Sequence, residues 1–247
     1  RLYNMKILVI GDSCTDVFIY GYTKRLCPEG PVPILEPSRT VTNPGMAGNV
    51  VANLQSLKVD KVELITNKEQ ITKTRYVEEK SNTLLLRIDS NDKVSNSFDV
   101  KRIPFSDYDA VIVSDYDKGF LTTNDIEKIS KSHPLTFIDT KKPITKQMIG
   151  YTFLKINEVE WEQCIGENYD DWKEKLIVTM SERGAMYNGK TYPVNRDIEV
   201  RDLSGAGDTF MASLVVGYLK TKDIERSIQY ANENATIVVQ KKGVVTI

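Results

Sequence analysis

Histidine is almost absent: His133 is the only one in 247 residues. Pro134 follows it in a polar stretch, so it reads as a surface linker residue. One histidine leaves no material for a Ser-His-Asp triad, a Cys-His pair or a multi-histidine zinc site. Cysteine is scarce as well. Cys14, Cys27 and Cys164 are scattered, with neither metal-ligand spacing nor the framework of a disulfide-stapled secreted domain, so a reducing cytoplasm is the expected compartment. No apolar run is long enough to span a bilayer, and no secretory leader is seen; Met5 reads as the natural start, residues 1–4 as upstream or tag sequence. Charge of one sign is lacking too: 33 basic residues stand against 34 acidic, without the basic cluster that a nucleic-acid partner needs. Neither a membrane nor a nucleic acid is therefore an expected partner.

What is present is an ordinary folding composition, 40% hydrophobic and 27% charged, long enough for one α/β domain over residues 1–247. Residues 6–10 (KILVI) form an apolar run closed by Gly11-Asp12 and predict a buried parallel strand. From Ser13 to Thr42 the chain is β-rich, but Pro28, Pro31, Pro33 and Pro37 confine such strands to an edge or flap. Ala47, Val50, Val51, Leu54 and Leu57 recur at helical spacing. Strands are predicted at 61–66, 72–77, 84–89, 110–114, 135–139, 152–156 and 176–180, with a polar turn at Ser81-Asn82. Residues 123–130 read as a helix capped by Thr122 or Thr123; Asn157 caps another that runs to Ile165, with Gly166 closing it. Two final helices cover 206–219 and 224–240. This alternation predicts a mostly parallel sheet with helices on both faces, which binds ligands beyond the carboxyl ends of its strands. Asp12, Asp115, Asp139 and Asn157 fall at those ends.

Gly184-Ala-Met-Tyr-Asn-Gly189-Lys190-Thr191 matches the phosphate-binding pattern GxxxxGK[ST] letter for letter. That loop needs a helix starting at its Lys-Thr, and here Tyr192-Pro193-Val194 is extended. Asn188-Gly189 reads instead as the turn of a β-hairpin. A second glycine-rich turn is more convincing. Ser204-Gly205-Ala206-Gly207 runs directly into a helix marked by Met211, Leu214, Val215, Tyr218 and Leu219. Unpaired N–H groups and the helix dipole make such a start an anion site. Asp208 sits in its first turn. A carboxylate there repels an anion unless it has work, and in phosphoryl transfer it has some: accepting the proton of the attacking hydroxyl. The bland alternative is an acidic residue favoured in any first turn. With an ordinary pKa of about 3.9, Asp208 is expected to be ionised at neutral pH.

Together these segments resemble the ribokinase-like, or phosphofructokinase B-type, carbohydrate kinases. Asp202-Leu-Ser-Gly-Ala-Gly-Asp208 is similar to that family's second signature, Pro44-Gly-Met-Ala-Gly-Asn49 to its first, and Asn157-Glu-Val-Glu160 to its Asn-x-x-Glu. Within the family the chain resembles the kinase part of bacterial heptose-7-phosphate kinase/adenylyltransferases, through Gly11-Asp-Ser-Cys-Thr-Asp16, Pro28-Glu-Gly-Pro-Val-Pro33, Thr72-Lys-Thr-Arg75, Leu86-Arg-Ile-Asp89 and Ser114-Asp-Tyr-Asp-Lys-Gly119. The resemblance implies a ribokinase-like α/β fold, its central sheet sandwiched by helices, with a small β-lid from about 17–42 and 72–89. It implies transfer of the ATP γ-phosphoryl to a sugar or sugar-phosphate hydroxyl, with heptose 7-phosphate at its 1-position as the heptose-kinase form. Alternatives are a kinase for an unphosphorylated hexose or a nucleoside, and a non-catalytic sugar- or nucleotide-binding descendant. Asp208 becomes the catalytic base and the N–H groups of Gly205, Ala206 and Gly207 the anion hole. Asp12, Asp16, Gly45, Asn49 and Asp115 belong to the acceptor site, with Lys73, Arg75 and Lys118 facing the acceptor's phosphate. Asn157, Thr179, Ser181, Glu182, Gly184, Asn232 and Gly243 belong to the nucleotide site. Glu160, with Asn157, organises Mg²⁺ through water, and a monovalent cation is compatible. A homodimer through the lid is expected.

Bland readings exist for several of these: Asp12 and Asp16 as turn or cap residues, Asn157 and Glu160 as a capping box, Arg75 and Arg87 as solvated strand charges, Asn232 as helix packing. The chain departs from the family at Met46, where a second glycine is usual, and in shortened segments between Thr66 and Thr72 and after Gly166. No adenylyltransferase domain is expected from these residues, and a nucleotide-sugar step is expected to lie elsewhere.

Overall fold

The computed structural model describes residues 4–164, 169–194, 203–241 and 246–247. Its first strand, β1 (Lys6–Gly11), sets the architecture. Ile7 and Val9 enter one hydrophobic layer while Leu8 and Ile10 enter another, as the two-residue period of a strand buried on both faces requires. Next come β2 (Ser13–Leu26), β3 (Pro33–Met46), α1 (Ala47–Ser56), β4 (Lys61–Ile65), β5 (Ile71–Glu78) and β6 (Leu84–Ser90). The chain then alternates through β7 (Ala110–Asp115), α2 (Thr123–Ser132), β8 (Thr136–Thr140), β9 (Phe153–Asn157), α3 (Glu158–Gln163) and β10 (Leu176–Thr179). It ends with β11 (Ala185–Tyr187), β12 (Lys190–Tyr192), α4 (Ala206–Thr221) and α5 (Ile224–Val239).

The main sheet has eight strands in the order β12-β11-β10-β9-β8-β7-β1-β4. Its pairs from β4 to β10 are parallel, and β11 and β12 close the edge antiparallel. Val50 and Leu54 of α1, Phe210 and Leu214 of α4, and Ile228 and Ala231 of α5 pack on the Ile7 face; Ile126 and Ile129 of α2 pack on the Leu8 face. From β1 the chain steps outward to β4, then returns to place β7 on β1's other side. The strand order reverses there, and the crevice beyond the carboxyl ends of β1 and β7 is where such sheets hold ligands.

A second sheet stands over that crevice, four strands in the order β3-β2-β5-β6. Connectivity forces the position: β2 starts two residues after β1 ends, and β3 leads straight into α1. The proline-bearing β3 is an edge strand, as its composition predicts. The GxxxxGK[ST] match is the predicted hairpin: β11 and β12 pair across Asn188 (φ 47°) and Gly189 (φ 73°), the left-handed pair of a type I′ turn. Thr122 caps α2 with a full capping box, and α3 ends at Gln163 rather than Ile165. Gly166 and Asp202 lie outside the described residues. His133 corrects the surface-linker expectation: half-buried after α2, its ring nitrogens lie 2.9 Å from the carbonyls of Leu135 and Tyr108, joining two turns.

Candidate active site

Seven elements converge beyond β1 and β7 on a cleft of about 200 Å³ lined by Asp16, Met46, Asn49, Lys73, Arg75, Arg87, Tyr116, Ser204, Gly205 and Asp208. Asp208 forms its floor. It lies in the first turn of α4, whose cap, Gly205, takes the left-handed conformation (φ 79°) that a side chain resists. Among the described residues the N–H groups of Gly205 and Gly207 have no partner, whereas that of Ala206 turns back to the Leu203 carbonyl at 3.3 Å. Two of the three expected anion-hole donors are thus open in this state.

The Asp208 carboxylate is buried and gripped from two sides. Asn49 Nδ2 donates to one oxygen at 2.9 Å and the Tyr116 hydroxyl to the other at 2.7 Å. A relay fixes the Asn49 amide: Thr209 Oγ1 donates to Asn53 Oδ1 at 3.0 Å, and Asn53 Nδ2 donates to Asn49 Oδ1 at 3.2 Å, leaving Asn49 Nδ2 to face Asp208. Burial pushes the Asp208 pKa up to about 6; the Asn49 and Tyr116 bonds pull the other way, the Asp139 charge adds to the rise, and Lys155 opposes it. The ordinary value expected from sequence is therefore corrected. Tyr116 remains a neutral donor, because burial and the facing Asp208 charge hold its pKa well above 10. A base of pKa near 6 is still roughly nine-tenths ionised at pH 7 and returns its proton more readily than an ordinary aspartate.

A pH prediction follows. The ionised form is the working base, so kcat/KM falls about tenfold per unit as pH drops below about 6. Tyr116→Phe removes a bond that lowers the Asp208 pKa, so the acid limb moves to higher pH. A limb unmoved in that variant would detach Tyr116 from the base.

Opposite Asp208, the lid sheet presents cations. Lys73 and Arg75 share a face of β5, and Arg87 stands opposite Arg75 on β6. Arg75 forms an ion pair with Asp16, and Arg87 makes two bonds to Asp89 at 2.7 and 2.8 Å. Burial lowers the Lys73 pKa, and the Arg87 and Lys118 charges lower it further. Crowded cations of this kind are relieved by an anion. The Lys73 and Lys141 ammoniums each lie 5.6 Å from the centroid of the Tyr116 ring. Gly45 backs this wall: a Cβ there would stand 2.1 Å from Asp16 Oδ2, so a side chain would displace the carboxylate. Met46 closes the corner in a conformation (φ 56°, ψ −132°) that glycine adopts more easily.

Three acceptor-site expectations are corrected. Asp12 is fully buried and spends its carboxylate on the N–H groups of Tyr116, Lys118 and Phe120, so it shapes the loop after β7 instead of lining the cleft. Asp115 is tied to Lys142 Nζ at 2.8 and 2.9 Å and to Thr140 Oγ1 at 2.6 Å; burial raises its pKa, and Lys142 opposes the rise. Lys118 bonds Asp92 at 2.5 Å and is not in the cleft wall. The residues assigned to the nucleotide gather at the ends of β9 and β10. Asn157 pairs in register with Thr179; Ser181, Glu182 and Gly184 follow, and Asn232 of α5 donates to the Tyr192 carbonyl at 2.8 Å. Gly243 lies outside the described residues. Asn157 and Glu160 form the capping box of α3, and Lys141 pairs with Glu160.

Sequence reasoning missed Tyr116, although it lies in the quoted Ser114–Gly119 segment, and gave Arg87 only the bland reading of a solvated strand charge, without a place in the site. It also missed Lys155, the one charge in the apolar run 152–156.

Solved structures share this architecture. Ribokinase from Thermotoga maritima superposes with TM-score 0.69 at 15% identity, covering 97% of this chain and 94% of that one. Phosphofructokinase-2 from Escherichia coli, solved in complex with potassium, gives 0.72 at 12% identity, with the same coverages. The fold is ribokinase-like. The chain belongs to the pfkB family of carbohydrate kinases, whose model matches residues 55–247, and is thus a phosphotransferase with an alcohol group as acceptor. It is 30% identical to the bifunctional protein HldE of Helicobacter pylori, over 96% of this chain, and 31% identical to that of Nitratiruptor, over 98%. The chain spans 63% of the length of these relatives. Among the described residues no helix is long and apolar enough to cross a membrane.

Proposed function

We propose that this chain transfers the γ-phosphoryl group of ATP to a hydroxyl of a sugar phosphate, heptose 7-phosphate at its 1-position being the leading acceptor. The observation that carries the reading is a buried carboxylate of raised pKa at an open helix N-terminus, facing three cations across a sugar-sized cleft. Asp208 takes the acceptor's proton while Asn49 and Tyr116 hold its carboxylate in place. The open N–H groups of Gly205 and Gly207 and the α4 dipole stabilise the charge on the migrating phosphoryl. Asp16 and Asn49 bind acceptor hydroxyls; Lys73, Arg75 and Arg87 bind its phosphate. The lid sheet excludes water.

ATP lies toward β9, β10 and α5, its pocket drawing on Asn157, Thr179, Ser181, Glu182, Gly184 and Asn232. The donors near Asn157 fit Mg²⁺: Glu160 offers a partly exposed carboxylate beside the Asn157 amide, and this ion is typically held by one or two carboxylates, water and substrate phosphates. Bound there, Mg²⁺ neutralises phosphate charge. In this reading the reaction takes place in the cytoplasm, where ATP is at hand and the free thiols of Cys14, Cys27 and Cys164 stay reduced.

The test is an initial-rate screen with ATP and Mg²⁺ on paired sugars, each with and without a phosphate. A kcat/KM at least tenfold higher for the phosphorylated member is expected. Equal rates within pairs would move the acceptor class to unphosphorylated sugars or nucleosides. The same reading includes a homodimer through the lid, because Leu84, Leu86 and Ile88 lie 52%, 53% and 43% exposed along the edge strand β6. A monomeric mass by light scattering would refute it.

A further inference from the structure

Lys155 is a cation inside the main sheet, on β9, with its side chain only 4% exposed. Burying an ammonium is costly unless it is paired and hydrogen-bonded. Here it makes one hydrogen bond among the described residues, to Asp139 Oδ2 at 2.6 Å, out of three possible donors. The other Asp139 oxygen is buried and has no partner. A Cβ built on Gly207 would stand 2.9 Å from Lys155 Nζ and 4.0 Å from Cε, so the ammonium touches the first turn of α4. Two positive features therefore meet: a lysine head and the N-terminal pole of a helix whose Gly207 N–H is open. Asp139 compensates the lysine from one side, and an anion arriving at the start of α4 would meet both positive features.

We infer that Lys155 is a further catalytic residue: held beneath the start of α4 by Asp139, its ammonium contacts the phosphoryl group in flight. The inference rests on the kinase reading above. In the step, the acceptor oxygen bonds to the γ-phosphorus and the bond from that phosphorus to the bridging oxygen breaks. ADP leaves with the electron pair, and the acceptor's proton passes to Asp208. Charge gathers on the oxygens of the migrating group, within reach of Gly207 N–H and Lys155 Nζ together. Asp139 acts as a positioning residue, keeping the ammonium in place between turnovers. The role of Gly207 is then steric as well, because any side chain there would push the ammonium away.

The test uses Lys155→Met, Asp139→Asn and the double variant. Each is measured for thermal midpoint and, by calorimetry, for binding ADP alone and ADP with aluminium fluoride and Mg²⁺. The account expects wild type to bind the aluminium fluoride complex more tightly than ADP. Lys155→Met should lose about 10²-fold of that preference, the scale for removing one donor to a developing oxyanion, while ADP affinity stays within threefold. The double variant, which buries no unpaired charge, should regain the wild-type midpoint but not the preference. A double variant that regains both would make the pair a structural neutraliser and overturn the inference, as would a wild type with no preference at all. Neither readout needs the acceptor, so failure of the acceptor assignment is seen separately in the sugar screen.

Discussion

Asp208→Asn is expected to abolish turnover and raise the melting temperature together. The rate loss follows from removing a positioned base, worth about 10²–10⁴-fold. The gain in stability follows from burial. The Asp208 pKa is about 6 in the folded chain against an ordinary 3.8, so the folded state disfavours the ionised form. Two units correspond to about 2–3 kcal/mol, a cost complete above pH about 6 and absent below about 4, where both states are protonated. Asparagine removes the buried charge. Its amide oxygen can accept from Asn49, and its amide nitrogen can donate to the Tyr116 oxygen. The variant should therefore melt several degrees higher at pH 7, with the advantage shrinking as pH falls through the 6-to-4 window. A variant that is both inactive and less stable would mean that Asp208 is a structural partner of Asn49 and Tyr116, not a strained base.

Arg87→Met gives the second large effect, a loss of substrate discrimination. Charge-assisted bonds to a phosphate are worth about 1.5–3 kcal/mol, so kcat/KM for a phosphorylated sugar should fall about 10- to 100-fold. For its unphosphorylated partner the value should stay within about threefold. Arg87 is a cleaner probe than Arg75. Arg75 neutralises Asp16, whose side chain is 7% exposed, and truncating it would bury an unpaired carboxylate. The partner of Arg87, Asp89, is 31% exposed and can be solvated instead. Equal losses on both sugars would place Arg87 in lid structure and not in phosphate recognition.

The contrast between what could be read from the sequence and what could not has a physical pattern. The buried parallel strands were legible because a strand covered on both faces must be continuously apolar, as residues 6–10 and 110–114 are. The lid was legible because prolines exclude a central sheet, and the Asn188-Gly189 hairpin because its two left-handed residues name their turn. Asp208 and its glycines were legible as a turn feeding a helix. The fate of the strand-end carboxylates was not. Asp12, Asp16 and Asp115 look alike in sequence, yet only Asp16 keeps a face on the cleft, because three backbone N–H groups claim Asp12 and Lys142 claims Asp115. Such competition is decided by residues about 30 to 100 positions away. Arg87 and Tyr116 were hidden for a related reason: alternation tells which side chains share a face, not which face meets a cleft. The raised pKa of Asp208 was hidden because it comes from burial that only the assembled site creates.

Rapid-quench single turnover tests the central claim most directly. Enzyme preloaded with ATP and Mg²⁺ is mixed with the best acceptor of the screen and quenched at intervals, from about pH 5 to about pH 8. The account predicts a phosphoryl-transfer rate that climbs about tenfold per unit up to about pH 6 and then levels, with Asp208→Asn slower by at least about 10² and lacking that limb. A variant that keeps the wild-type rate, or the same limb, would contradict it.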